Sequence, residues 1–127
     1  MNSRQKRKLK VKSKKLINSF KYAFVGIGTA FKEERNMKIH LLITMLVVIA
    51  GILFKISKVE WIMCVFAISL VISAELFNTV IETVVDMITP YKNEKAKIAK
   101  DISAGAVLIT AVGAAIVGLL IFIPKLY

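Results

Sequence analysis

Long apolar runs alternate with short polar segments along most of the chain. The first run covers residues 37–54, the second starts at Trp61 and ends near residue 88, and the third covers 102–123. An α-helix needs about 20 apolar residues to cross a bilayer, and each run is close to or above that length. Pro90 and Pro124 follow the second and third runs, and proline stops a helix because it lacks a backbone N–H. The pattern therefore predicts three transmembrane helices, 37–54, 61–88 and 102–123.

The segment before the first run has a different pattern. Residues 1–13 form a basic, polar tail without apolar periodicity, and we expect its start to be disordered. Over residues 14–32, apolar side chains such as Phe20, Phe24 and Ile27 recur at a spacing of three to four. This spacing predicts an amphipathic helix with a basic polar side, suited to an anionic membrane surface.

Composition and charge placement agree with a membrane protein. The chain has 127 residues, of which 57% are hydrophobic, and a net charge of +11. This composition is too apolar for an ordinary soluble domain, so we predict one membrane domain over residues 1–127.

Residues 1–38 hold twelve of the 19 basic residues, and the 89–101 connection holds four more. The positive-inside rule therefore places the N-terminus and this connection in the cytoplasm. Beside an amphipathic helix, anionic lipid suits the basic tail better than nucleic acid does.

Four polar residues interrupt the second apolar run on a single helical face. Glu75, Asn78, Glu82 and Asp86 have offsets of 3, 7 and 11 residues. At roughly 100° per residue they fall within about 80° of one another, so they form one stripe. Carboxylates at membrane depth are costly and mark functional sites. Three carboxylates on one face repel one another unless a cation lies among them, so the stripe predicts a divalent-cation site at a membrane boundary.

The predicted topology brings further charged residues to the cytoplasmic end of this stripe. They come from the starts of the first and third spans and include Glu34, Lys100 and Asp101. Glu75 lies deeper, about 16 Å from Asp86 at 1.5 Å per residue. Exposed carboxylates can bind Mg²⁺, and a lysine can neutralise the charge of a phosphate group. A carboxylate deep in the membrane can deprotonate a lipid alcohol. These are the parts of phosphoryl transfer, in a chain without a P-loop motif.

The residues alone leave three classes of function open. A lipid-modifying enzyme fits the stripe, but carboxylates inside membranes also line the pathways of cation and proton transporters. Carboxylates paired with basic side chains on neighbouring helices can also serve a structural scaffold. His40 is a single imidazole near the start of the first span, where we expect an interface hydrogen bond rather than catalysis.

Two segments of the chain resemble a known signature. AELFNTVIETVVDMI, followed by AKDISAGAVLI, resembles the small prokaryotic integral-membrane lipid kinases, the diacylglycerol kinase and undecaprenol kinase family. The resemblance extends to SFKYAFVGI and EERNMKIHL. It implies an all-α homotrimer of three-span protomers, each with an N-terminal surface helix, in the bacterial cytoplasmic membrane. It also implies active sites shared between protomers, which transfer the γ-phosphate of ATP to a lipid hydroxyl with Mg²⁺ as cofactor.

The resemblance also implies roles for individual residues of the stripe. Glu75 matches the family's general base, while Glu34 and Glu82 match its metal-binding carboxylates. Asn78 and Asp86 match polar residues that support the site. The residues themselves indicate a metal cluster and a deep carboxylate, but only the resemblance separates the base from the metal ligands.

Nucleotide and lipid contacts follow from the same resemblance. Some members carry an acidic residue and a histidine that contact the nucleotide, and Tyr91 and Asn93 occupy those places in this chain. Residues 103–106 read Ser-Ala-Gly-Ala, and Ala104 makes this run more similar to the branch that phosphorylates undecaprenol. We therefore predict undecaprenol as substrate and diacylglycerol as the alternative. The nucleotide-binding residues that the resemblance implies are Tyr22, Lys100, Asp101, Lys15 and Asn93.

Overall fold

The computed structural model describes all residues 1–127 and is built from α-helices without strands. The contacts divide the chain into two compact units, Met1–Glu33 and Glu34–Tyr127. The predicted all-α architecture is confirmed. The elements are α1 (Ser3–Glu33), α2 (Arg35–Leu53), α3 (Lys58–Ile88), α4 (Glu94–Phe122) and a short 3-10 helix (Ile123–Leu126).

Helix α1 is longer than the sequence predicts, since it is continuous from Ser3. The expectation of disorder at the start of the basic tail is wrong. Lysine and arginine are good helix formers, and the segment before Gly26 contains neither glycine nor proline to interrupt them. Asn2 and Gln5 also cap the start reciprocally, because each side chain accepts a hydrogen bond from the other's backbone N–H, at 2.8 and 3.0 Å.

Helices α2, α3 and α4 are each long and apolar enough to cross a membrane, as the three apolar runs predict. Helix α3 has 31 residues and is roughly 47 Å long at 1.5 Å per residue. It exceeds a hydrocarbon core of about 30 Å, so an end of the helix extends beyond the core. Helix α4 starts at Glu94, eight residues before the predicted span, because Asn93 caps it and the intervening residues favour helix.

A tight turn joins α2 to α3 and reverses the chain. Lys55 has a left-handed backbone conformation with φ of 50°, and the Ile56 N–H donates to the Gly51 carbonyl at 3.1 Å. Ser57 and Glu60 then form a capping box, in which the Ser57 hydroxyl accepts from the Glu60 N–H and the Glu60 carboxylate accepts from the Ser57 N–H. These bonds satisfy helix-end groups and direct α3 antiparallel to α2.

The ends of α2, α3 and α4 meet beside this turn. Ile56, Cys64 and Ile121 form a small buried core there, and the rings of Phe54 and Phe122 lie 6.1 Å apart. Lys125, just after α4, donates to the Glu60 carboxylate at 2.8 Å. Because α2, α3 and α4 run alternately up and down, the start of α2, the end of α3 and the start of α4 share the opposite end.

Gly51 is required at the crossing of α2 and α3. A Cβ at this position would lie 2.5 and 2.8 Å from ring atoms of Trp61. We expect Gly51→Ala to lower the free energy of unfolding by about 1–3 kcal/mol through overpacking, despite alanine's helix propensity. Reversible unfolding in mixed micelles measures this. Gly113→Ala is the matched control, because nothing lies within 4 Å of a Cβ there, and equal stability of the two variants would contradict the prediction.

Candidate active site

The polar stripe of α3 is graded from buried to exposed along the helix. Glu75 and Asn78 are buried, with 3% and 9% of their surface exposed. Glu82 is half-buried and Asp86 is exposed. The stripe thus runs over about 16 Å from the packed middle of the bundle to its end. The helical periodicity predicts this shared face, and the structure adds that it meets α2 at Glu75 and α4 at Asn78 and Asp86.

Glu75 is held by a contact from α2. Its Oε1 lies 3.1 Å from Nε2 of His40, and the side chains are 4% and 18% exposed. A buried carboxylate needs a hydrogen-bond donor or a counter-charge, and His40 supplies one. The sequence indicates an interface hydrogen bond for His40 but does not link it to Glu75, since 35 residues separate the two.

Asn78 connects α4 to a carboxylate of the stripe. The buried Ser103 hydroxyl donates to Asn78 Oδ1 at 2.8 Å. The Asn78 amide in turn donates to Glu82 Oε1 across a longer 3.5 Å contact. The Asn78 oxygen faces Ser103 and its amide nitrogen faces Glu82, because the Glu82 carboxylate oxygen needs a donor. In the sequence, Ser103 stands out only as part of a run of small residues. Its hydrogen bond to Asn78 is visible only in the structure.

An open cleft of about 760 Å³ lies at the α3–α4 connection. This volume falls within the range of small-molecule sites, about 300–1,000 Å³. Lys100 on α4 forms an ion pair with Asp86 on α3, and Lys97 donates to Asp101 at 2.6 Å. The cleft is lined by three lysines and three carboxylates, and these two ion pairs account for two of each. Its charged and polar lining includes Asp86, Asn93, Lys97, Lys100 and Asp101.

Asn93 has a structural role at the cleft. Its Oδ1 accepts from the Ala96 N–H at 3.1 Å and caps α4, while its amide nitrogen stays available. The start of α4 therefore lies at the cleft, and a helix N-terminus favours anionic groups through its free N–H groups and dipole. This agrees with the implied nucleotide contact at Asn93.

The other predicted site residues lie apart from these contacts. Glu34 precedes α2 as its N-cap residue but makes no side-chain capping bond. No group of three or more His, Cys, Asp or Glu side chains comes together to hold a metal ion. Lys15 and Tyr22 lie within α1, seven residues apart and hence on the same face. Ala104 is exposed on α4, beside Ser103.

Comparison of the sequence with known protein families shows whether the chain is an enzyme or a transporter. The family model of the prokaryotic diacylglycerol kinases matches residues 21–122. The chain belongs to this family. The match covers α2, α3 and α4 together with the stripe, the cleft and His40. It selects the lipid-kinase prediction over the transporter and the scaffold.

Individual relatives agree with the family match. The chain is 43% identical to the undecaprenol kinase of Bacillus subtilis over 112 residues, 88% of this chain and 91% of that protein. It is 39% identical to a diacylglycerol kinase of Synechocystis over 87% of this chain and 64% of that protein. A diacylglycerol kinase of Haemophilus influenzae is 33% identical over 74% of this chain and 80% of that protein.

Membership of the family confirms the broad functional predictions. The protein is a multi-pass membrane protein and a lipid kinase, which uses ATP as co-substrate and a lipid as acceptor. The prediction of a lipid kinase is therefore confirmed. The roles of single residues remain predictions.

Proposed function

We propose that this kinase transfers the γ-phosphoryl group of ATP to the hydroxyl of undecaprenol, giving undecaprenyl phosphate. The graded stripe on α3 carries this proposal, because it joins a buried carboxylate to an exposed, charged cleft. A lipid alcohol reaches the buried end from the membrane, while ATP reaches the exposed end from water. Similarity to the undecaprenol kinase over most of both chains supports the polyprenyl acceptor. The two diacylglycerol kinases among the relatives make diacylglycerol the second candidate.

Glu75 is the general base in this proposal. The attacking lipid oxygen must lose its proton, and a positioned carboxylate within hydrogen-bond reach can take it. Glu75 is buried within the bundle, at the depth where an alcohol anchored in lipid presents its hydroxyl. His40 occupies Oε1, so Oε2 is the oxygen that faces the alcohol. Asn78 and Asp86 support the site through their bonds to Ser103 and Lys100.

Glu34 and Glu82 are the residues that would hold Mg²⁺. Their chemistry fits, because Mg²⁺ prefers oxygen ligands and is usually bound through one or two protein carboxylates plus substrate phosphates. A site of this kind needs no group of three protein ligands. Bound Mg²⁺ would neutralise phosphate charge. Glu82 keeps an oxygen free for this role, since Asn78 bonds only Oε1.

Replacement of Glu82 tests the metal assignment. We expect Glu82→Gln to raise the Mg²⁺ concentration for half-maximal activity by about tenfold or more, because loss of a ligand or of its support typically costs 10- to 100-fold. Activity measured across a Mg²⁺ titration gives the value. Glu60→Gln is the matched control, since Glu60 is also a half-buried carboxylate of α3 but lies at the opposite end. An unchanged Mg²⁺ requirement in Glu82→Gln would count against a ligand role.

The cleft at the α3–α4 connection is the nucleotide site in this proposal. Lys100 and Asp101 project from α4 into it, and Asn93 lies where α4 begins. Lysine stabilises phosphate charge, and the N-terminus of α4 adds N–H groups. We assign Tyr22 and Lys15 as further nucleotide contacts from α1, on the resemblance and on their shared helical face.

We propose the same assembly and orientation that the sequence predicts. Within one chain, only 11%, 22% and 6% of the apolar windows of α2, α3 and α4 are buried. The remaining surface is available for lipid and for neighbouring protomers of a homotrimer with shared active sites. The distribution of basic residues favours a cytoplasmic N-terminus and cytoplasmic cleft. Residues 14–32 of α1 then lie on the anionic inner surface of the membrane.

Substrate preference tests the choice of lipid. Nanodiscs that contain equal amounts of undecaprenol and diacylglycerol are supplied with MgATP, and the two phosphorylated products are measured. We expect undecaprenyl phosphate to dominate, and Ala104→Ser to reduce this preference by roughly threefold to tenfold, because a hydroxyl makes an apolar groove less favourable for a polyprenyl chain. Dominant phosphatidic acid from the native enzyme would contradict the proposal and support diacylglycerol.

A further inference from the structure

His40 is the polar group of α2 that reaches the reacting end of the stripe. Its Nε2 lies 3.1 Å from Oε1 of Glu75, and 18% of the imidazole and 4% of the carboxylate are exposed. Helix α2 otherwise meets α3 through apolar side chains and Gly51 near the turn. Burying the polar groups of His40 and Glu75 between two apolar helices costs free energy. Such a pair therefore marks a candidate functional position.

The hydrogen-bond partner of the Glu75 carboxylate in the structure is the His40 imidazole. A cavity of about 240 Å³ lies between α2, α3 and α4, and His40 lines it. The rest of its lining is apolar except for Thr44 and the titratable thiol of Cys64. The Thr44 hydroxyl donates to the backbone carbonyl of His40 at 2.7 Å, so it does not compete for the imidazole. The His40 ring is therefore bonded to Glu75 and has a mostly apolar cavity beside it.

We propose that His40 is a positioning residue for the general base. In this role the Nε2–H donates to Oε1, holds the Glu75 carboxylate in one orientation and turns Oε2 toward the lipid hydroxyl. A base must lie within hydrogen-bond reach of the proton that it takes, and a donor that holds one carboxylate oxygen also fixes where the other oxygen lies. The inference rests on the proposed role of Glu75 as base, and it adds the group that holds this base ready.

Substitutions at His40 separate a hydrogen-bonding role from a packing role. His40→Gln keeps an N–H donor within similar reach, whereas His40→Leu and His40→Met fill the space without a donor. We expect His40→Leu to lower kcat by about 10²-fold or more, the scale of positioned acid–base groups, with the KM for MgATP within about twofold of native. We expect His40→Gln to recover kcat to within about tenfold of native.

A packing role predicts the opposite order. An apolar side chain of similar volume would preserve the native contacts, so His40→Leu and His40→Met would match or exceed His40→Gln in both kcat and stability. That order, or a native kcat in His40→Leu, overturns the proposal. Binding of MgATP, measured for each variant, shows that it is folded. If His40→Leu does not fold, His40→Met provides the donor-free comparison. Thr44→Val is the neighbouring control, with expected near-native kcat.

A double substitution distinguishes failure of this inference from failure of the proposed function. The series uses whichever of undecaprenol and diacylglycerol the native enzyme phosphorylates, so a wrong substrate leaves the order of the variants unaffected. In a Glu75→Gln background we expect His40→Leu to cause no further loss of residual activity, because the two residues act as one unit. An additive loss in the double variant overturns the coupling. Full turnover by Glu75→Gln alone would instead refute Glu75 as base and the inference with it.

Discussion

Glu75→Gln is expected to lower phosphoryl transfer by about 10³-fold or more, within the range that positioned acid–base groups contribute. The amide has the shape of the carboxylate and can still accept the bond from His40. It cannot take the proton of a lipid alcohol. Because Glu75 lies about 16 Å from Asp86 along α3, we expect the affinity for MgATP to stay within about twofold of native. Label transfer from γ-labelled ATP and equilibrium binding of MgATP measure the two quantities.

Two outcomes would contradict this division of roles. Residual turnover close to native would show that Glu75 is not the base. Loss of MgATP binding would show that Glu75 belongs to the nucleotide site rather than to the lipid end. Glu60→Gln controls for the loss of a carboxylate on the same helix, since Glu60 lies at the opposite end and pairs with Lys125. We expect it to affect stability and to leave the KM for MgATP near native.

Lys100→Met is expected to raise the KM for MgATP and to lower turnover by about 10²-fold, the scale for loss of one preorganised charged donor. The Lys100 side chain is 37% exposed and forms an ion pair with Asp86 across the cleft. Its removal takes a cation away from the phosphates and also leaves Asp86 unpaired beside them. The two effects act in the same direction, because both make the cleft more negative. Initial rates as a function of MgATP concentration measure the change.

The matched control for Lys100→Met is Lys95→Met. Lys95 is also a lysine in the first turns of α4, but it is exposed and does not line the cleft. We expect a KM for MgATP near native in that variant. Adding Asp86→Asn to Lys100→Met should restore part of the nucleotide affinity, because it removes the unpaired negative charge. A native KM in Lys100→Met, or equal effects of Lys95→Met and Lys100→Met, would contradict the assignment.

The helices and the stripe could be predicted because they depend on local periodicity. Apolar runs of bilayer length identify α2, α3 and α4, and an angle of roughly 100° per residue places Glu75, Asn78, Glu82 and Asp86 on one face. The same rule does not locate the start of α1. A run of like charges is typical of disorder, but here an Asn2–Gln5 capping box and good helix formers extend the helix to Ser3.

Contacts between helices could not be predicted from the sequence because they depend on how the helices rotate against each other. His40 and Glu75 meet only when α2 and α3 pack with these faces together. Lys100 and Asp101 are adjacent in the chain and are implied as a nucleotide-contacting pair, yet neighbouring residues point roughly 100° apart on a helix. Lys100 therefore pairs with Asp86 on α3, while Asp101 pairs with Lys97 one turn earlier on α4.

The central claim is phosphoryl transfer from ATP to undecaprenol, and its most direct test is the fate of the γ-phosphate. Purified protein in nanodiscs that contain undecaprenol is incubated with γ-labelled MgATP, beside the Glu75→Gln variant. We predict label in undecaprenyl phosphate with the native chain and only trace label with the variant. Native protein that binds MgATP but leaves undecaprenol unlabelled would contradict the claim.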